Sequence, residues 1–221
     1  MSNMETRRAA AAADSLAYRE RRQAILEAAG RVFHLKGYAA TKLADVALES
    51  GIDRATLYYY VSSKWDLFCD VVSEAVEQNV IDAETVAKQD APASEKLSRL
   101  IEMLMTSFGR SFPAIYVFVQ EELHKLERSP GESSDKWLAK SQQWKTRYFT
   151  AVKRIVAQGM AAGEFSTTLT SGLVANSLIG MLNSSYLWYE PRGKMSAASI
   201  GAGIAEMMLK GLQPARGSKR S

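Results

Sequence analysis

Apolar residues recur along this chain with the period of a helix, and no stretch alternates apolar and polar residues long enough to suggest a sheet. Ile25, Ala28, Ala29, Val32 and Phe33 fall at i, i+3, i+4, i+7 and i+8, the stripe of a helix that buries one face. In TKLADVALES, Leu43, Val46 and Ala47 share a stripe; Gly51-Ile52-Asp53 interrupts it, and RATLYYYV resumes with Leu57 and Val61 one turn apart. Two short helices about a tight corner form a helix-turn-helix. Gly51 suits a left-handed residue closing the first, Ile52 a plug in the corner, and Asp53 a cap for the second.

Ser63, with Asp66 three residues on, opens a long helix through Leu67, Val71, Val72, Ala75, Val76 and Ile81 to about Val86. The polar, proline-containing run from Lys88 to Ala93 ends it. Further helices are expected over about 95–111, 113–126, 135–162, 169–189 and 196–212, with a Ser-Pro-Gly loop at 129–133 and a stop at Pro191 and Gly193. Ser196 is placed to cap the last. The fold class is therefore all-α: an N-terminal three-helix helix-turn-helix domain over 19–70, joined by a long helix to a C-terminal helical domain over 71–213. Residues 1–18 are expected to form a disordered arm, whose Arg7-Arg8 pair is at least as readily a cloning remnant as a minor-groove contact, and 214–221 a basic tail.

At 221 residues and 47% hydrophobic content, the chain can bury a sizeable core. Its single cysteine, Cys69, excludes an intramolecular disulfide and, in an apolar helix, reads as a buried, inert thiol. No signal-type segment and no run of roughly 18 apolar residues is present, so the expectation is a cytoplasmic protein without a membrane partner.

Charge adds a direction. Lys+Arg exceed Asp+Glu by 28 to 24, and the excess is local. Arg19, Arg21, Arg22, Arg31, Lys36, Lys42, Arg54 and Lys64 face Glu20, Glu27, Asp45, Glu49 and Asp53 in the first domain, and Lys210, Arg216, Lys219 and Arg220 lie near the C-terminus. Such a face suits DNA phosphates, and a solvated surface would also account for it. The helix after the corner sharpens the choice. Three consecutive tyrosines cannot all be core; hydroxyls serve phosphates, ring edges serve thymine methyls, and an arginine near the N-terminus serves guanine. Thr41, Lys42, Arg54, Ala55, Thr56, Tyr58, Tyr59, Tyr60 and Lys64 are the candidate DNA-binding residues. Lys64 joins them because it lies at the anion-attracting start of the long helix.

The segment 25–71 resembles the DNA-binding domain of the TetR family of bacterial regulators. The resemblance rests on Ala28-Ala29, Phe33, Gly37-Tyr38, Thr41 as the cap of the helix that follows it, Ala47, Gly51 and the run Thr56-Leu57-Tyr58 closing on Lys64 and Leu67. Three positions depart from the family's commoner residues: Ala44, where many members carry an arginine or another polar side chain, Val61 for phenylalanine, and Trp65 for an acidic residue. The resemblance implies a homodimer on a palindromic operator in double-stranded DNA, repression as the default, and a C-terminal ligand-binding and dimerisation domain. Small residues mark the last two helices. Gly172, Asn176, Gly180 and Ser184 lie four apart, and Ala198, Gly201, Ala205, Met208 and Leu212 follow a 3-4-3-4 spacing. Gly172, Gly180, Ser184, Gly201, Ala205 and Met208 are accordingly the candidate dimer seam, though a monomer core could use the same stripes.

Candidate ligand contacts are Phe108, Phe112, Tyr116, Trp144, Tyr148, Asn176 and Asn183, aromatic or amide groups within apolar runs. Gln143 and His124 stand behind them. The segment 180–212, through Trp188-Tyr189, Pro191, Gly193 and Ser196, is similar to TetR members tied to lipid, steroid or acyl-CoA catabolism. That implies a small hydrophobic effector, a fatty acid or its coenzyme A thioester; Lys136, Lys140, Lys145 and Arg147 are candidates to receive a phosphate-bearing group, and a plain solvated helix face accounts for them equally well. No cofactor or metal is implied. An enzyme fits poorly: His34 and His124 are far apart, no GxSxG, Walker loop or paired CxxC occurs, and Glu121-Glu122 with His124 lacks a second histidine. A helical interaction scaffold, or an activator with the same head, remains open; steeply salt-dependent specific DNA binding would exclude the scaffold.

Overall fold

The computed structural model describes residues 16–110, 114, 117–119, 132–190 and 193–212, and every regular element among them is helical. The head comprises α1 (Leu16–Ala40), α2 (Leu43–Glu49) and α3 (Arg54–Tyr60). α4 (Lys64–Lys88) leaves it, and α5 (Ala93–Arg110), α6 (Glu132–Ala161), α7 (Ser171–Asn183), a 3-10 turn (Ser184–Leu187) and α8 (Ala197–Leu212) complete the fold. Of the helix expected over 113–126, only Ala114 and 117–119 are described, and they are helical. The basic tail and most of the N-terminal arm lie outside the described residues. The arm's last three residues, 16–18, belong to α1.

Two seven-residue helices are too short to stand alone, so their ends are closed by specific bonds. At the end of α2, Gly51 has φ 65°. Its N–H donates to the Leu48 carbonyl at 3.1 Å and that of Ile52 to the Ala47 carbonyl at 3.1 Å, the paired bonds of a Schellman motif. Asp53 then caps α3, accepting from the Thr56 N–H at 2.9 Å. The cap of α2 is Lys42 rather than Thr41, its N–H held by the Asp45 carboxylate at 2.9 Å. Ser63 caps α4, accepting from the Asp66 N–H at 3.0 Å.

Partners distant in sequence close other ends. The Glu164 carboxylate accepts from the Ala93 and Ser94 N–H groups, each at 2.9 Å, and from the Ser94 hydroxyl at 2.8 Å, capping α5 from about 70 residues away. The helix expected over 169–189 breaks at Ser184. Its hydroxyl bonds the Met181 carbonyl at 2.7 Å and the chain tightens into the 3-10 turn, the local competition for backbone groups that serine provides. Ser196 caps α8 as expected, its hydroxyl accepting from the Ser199 N–H at 3.1 Å.

One apolar cluster runs from Ile25 in α1 to Leu212 in α8. α4 is its axis, packed against α1, α5 and α6. An aromatic chain crosses it. Tyr38 meets Phe68 with ring centroids 5.1 Å apart, Phe68 meets Trp137 at 5.9 Å, and Trp137 meets Trp144 at 5.4 Å. Arg147 of α6 adds a fork onto α4, bonding both Glu84 oxygens at 2.8 and 2.9 Å and Glu77 at 2.9 Å, while the Trp144 indole donates to Glu77. Cys69 is half-buried; burial first, then Asp66 and Asp70, push its thiol up to about 12, which leaves it unreactive at neutral pH.

Candidate nucleic-acid interface and ligand cavity

α3 presents Arg54, Ala55, Tyr58 and Tyr59 to solvent, with Tyr59 63% exposed. Only Leu57 of this helix is buried, and that one anchor turns its other faces outward. Arg54 and Tyr58, one turn apart, act as a unit. The guanidinium lies 5.5 Å from the ring centroid and donates to the phenol oxygen at 3.2 Å. A planar donor beside a hydroxyl on an exposed helix face can serve both base edges and phosphates. Lys42, exposed at the start of α2, borders the same corner.

Four of the expected contacts do other work. Thr41 is only 2% exposed, and its hydroxyl donates to the Gly37 carbonyl at 2.8 Å, closing the kink that ends α1. The Thr56 hydroxyl donates to Asp53 at 2.7 Å as part of the cap. Tyr60 is half-buried, its ring 5.0 Å from that of Tyr18. Lys64, expected at a phosphate, directs its ammonium inward to the carbonyls of Tyr38 at 2.9 Å, Thr41 at 2.9 Å and Ala39 at 3.3 Å, and lies 4.4 Å from the Tyr38 ring centroid. It is a clamp on the end of α1. Three more head cations are paired within the head: Arg22 with Asp70 at 2.6 Å, Arg31 with Glu49 at 2.8 Å and Lys36 with Asp45 at 2.9 Å. The count of basic residues therefore overstates the charge offered to DNA.

Tyr18 was not foreseen as part of this surface. It meets Tyr59 at 6.1 Å and Tyr60 at 5.0 Å, steadying the tyrosine run from α1. The signal was present: Tyr18 stands seven residues before Ile25 and fourteen before Val32, on the same helical stripe.

In the second half, Trp144, Tyr148, Asn176 and Asn183 converge on one cavity of about 420 Å³. α4 supplies Val76, Asn79 and Val80 to its wall, and Leu104, Phe118, Phe149 and Ile179 supply further apolar surface. Phe108 does not line it; it is buried elsewhere, with Tyr189 at 6.4 Å. Phe112 and Tyr116 lie outside the described residues, as does His124. Arg147, expected to receive a phosphate, is held by Glu77 and Glu84 instead. Both carboxyls sit below the usual carboxylate range, Glu77 through its bond from Trp144 and then Arg147, Glu84 through Arg147. Lys140 lies over the Trp144 ring at 4.8 Å.

The small-residue seam divides. Gly201 and Ala205 are buried, and a Cβ on Gly201 would sit 3.0 Å from the Glu102 Cα and 3.2 Å from the Met105 Cβ. Gly201 and Ala205 are thus filled from within the chain, where α8 packs onto α5, and cannot present a seam to a second copy; Met208 is half-buried against the same core. Gly172 faces the Phe149 ring of α6 at 3.8 Å. Gly180 is open, and Ser184 is partly exposed beyond it, on the face that carries exposed Leu173, Leu187 and Trp188.

Among the described residues no helix is long and apolar enough to cross a membrane. The family model "Bacterial regulatory proteins, tetR family" matches residues 25–71, and "Tetracyclin repressor-like, C-terminal domain" matches 90–212. The HTH-type transcriptional repressor KstR2 of Mycolicibacterium smegmatis is 26% identical over 211 residues, covering 91% of this chain and 95% of its own. The structure of the ketosteroid transcriptional regulator KstR2 of Mycobacterium tuberculosis aligns with TM-score 0.79 at 22% identity, over 88% of this chain and 96% of that one. AibR in complex with isovaleryl coenzyme A and operator DNA aligns with TM-score 0.67 at 22% identity, over 85% and 97%. At these identities the two structures speak for the fold alone. With the C-terminal match spanning more than half its length and the head matching independently, the chain belongs to the TetR family of DNA-binding transcriptional regulators, which are not enzymes.

Proposed function

We propose that this protein is a homodimeric repressor that holds a palindromic operator in the cytoplasm and releases it when a small hydrophobic effector enters the cavity. The observation that carries the reading is the shared use of α4. Val76, Asn79 and Val80 line the cavity, and the same helix begins at Lys64, whose ammonium clamps the end of α1 beneath the corner of the head. A ligand that prefers a different position of α4 changes the separation of the two heads, and operator affinity falls by the ratio of its affinities for the two states. Arg54, Tyr58, Tyr59, Ala55 and Lys42 meet DNA; α7, through Gly180, Ser184 and exposed Leu173 and Leu187, meets the second copy. Relatives support the effector class: AibR binds isovaleryl coenzyme A, and a Bacillus subtilis relative, 21% identical, is described as a fatty acid metabolism regulator protein.

The test is a footprint of the purified protein on its own upstream intergenic DNA, with and without a series of acyl compounds. Protection of a two-fold symmetric site, lost on adding one of them, is expected. Protection that no hydrophobic compound relieves contradicts the effector part, and no specific protection of any DNA contradicts the whole reading.

A further inference from the structure

Resting on the regulator reading above, we propose that the cavity takes the uncharged acyl or alkyl end of an amphiphile, whose carbonyl oxygen, of a ketone, ester or thioester, accepts a hydrogen bond from the Tyr148 hydroxyl. Tyr148 lines the cavity, yet its hydroxyl is buried and meets no hydrogen-bond partner among the described residues. Buried donors are almost always paired, and one left open beside an empty space marks where a ligand acceptor fits. Burial pushes the phenol well above its ordinary pKa, so it remains a proton donor at any physiological pH.

Among the described residues, the charges around the cavity do not favour an anion at that depth. Lys145 carries the only cationic side chain among the described lining residues, and it is solvent-exposed. Arg147, two positions further along α6, is saturated by Glu77 and Glu84. Glu77 also accepts from the Trp144 indole, so this side of the cavity backs onto carboxylates. An ionised carboxylate beside Tyr148 would lose its water without gaining a cation, whereas a carbonyl loses little and gains a donor. Val76, Val80, Leu104, Phe118 and Ile179 receive the hydrocarbon, and Asn79, Asn176 and Asn183 are neutral groups for a further oxygen.

Four probes separate the possibilities on the full-length dimer: 2-undecanone, its isostere 2-methyl-1-undecene, decanoate and decanoyl-coenzyme A, each followed by quenching of tryptophan fluorescence, which Trp144 in the cavity wall reports. Operator binding is read in the same samples. The ketone is expected to bind at least ten-fold tighter than the alkene and decanoate at pH 7. Tyr148→Phe should erase the ketone's ten-fold advantage, leave the alkene unchanged and melt no lower than wild type, since the lost hydroxyl has no partner among the described residues. Decanoyl-coenzyme A binding more tightly than the ketone and losing as much in Tyr148→Phe identifies a carrier-bound thioester as the source of the carbonyl. Binding more weakly, with the same loss, identifies a free ketone or ester. The proposal is overturned if Tyr148→Phe leaves ketone and thioester affinity unchanged, if decanoate binds more tightly than both, or if no probe binds while operator binding is intact. Absence of operator binding would instead count against the regulator reading, whatever the probes do.

Discussion

In the head, Lys64 commits its ammonium to three carbonyls and a ring face, Asp53 accepts from both the N–H and the hydroxyl of Thr56, and Thr41 turns its hydroxyl onto Gly37. In the cavity, the buried Tyr148 hydroxyl meets no hydrogen-bond partner among the described residues. The two regions are built for different tasks. A reading head must keep its exposed residues at fixed separations, so its corner and helix ends are closed in advance. One buried N–H left without a partner there among the described residues, the Trp65 indole, lies away from the corner at the start of α4. A sensor must gain something when its ligand arrives, so it keeps a group unsatisfied until then.

The largest test of that contrast is Lys64→Met. Removing charge-assisted bonds to the end of α1 should lower stability by about 3 kcal/mol in denaturant unfolding, with the salt slope of DNA binding unchanged. An unchanged stability with a slope reduced by about one would make Lys64 a phosphate contact after all. Next come the glycines. Gly201→Leu drives a side chain into the backbone of α5 and should cost about 1–3 kcal/mol or more. Gly180→Leu meets open space within the chain and should shift sedimentation toward monomer with helical content retained; a dimer that persists would move the interface off this face.

Arg147→Met probes the join between cavity and α4. Because the ion pairs are partly exposed, the expected loss is about 1–2 kcal/mol at pH 7. Glu77 and Glu84 titrate lower in the fold than in the unfolded chain. Their stabilisation is therefore present above the ordinary glutamate value near 4.5 and fades as pH falls through the depressed values. The acid limb of the stability profile should be shallower in Arg147→Met than in wild type, and parallel limbs would show that the fork contributes nothing. The smallest effect is Asp53→Ala, which removes the α3 cap and should be visible as a slightly lower midpoint with no change in ligand binding.

Sequence periodicity located the head well because its signals are local: Gly51, Ile52 and Asp53 do what their types and spacing imply, and Leu57 alone fixes which face of α3 looks outward. Spacing could not say what lies on the other side of a stripe. Gly201, Ala205 and Met208 have the spacing of a helix seam, and whether α5 of the same chain or a second copy fills it is a tertiary fact. Cations posed the same problem. Arg147 and Lys64 look like phosphate ligands until partners 63 and 26 positions away are brought beside them. The cavity was half legible. Trp144, Tyr148, Asn176 and Asn183 stood out as polar or aromatic groups in apolar runs, but Asn79 and Val80 of α4 belong to it only through packing. So does the capping of α5 by Glu164.

The central claim is that one chain reads DNA through the exposed face of α3 and is released through the cavity that α4 borders. Fluorescence anisotropy of an upstream intergenic duplex, titrated with wild-type protein and with Arg54→Ala across a salt series, tests its first half directly. Specific binding that weakens steeply with salt and is lost or made non-specific in Arg54→Ala, at unchanged melting temperature, is the predicted result. Specific binding that Arg54→Ala leaves unaltered would contradict the account, because it would place the reading surface elsewhere.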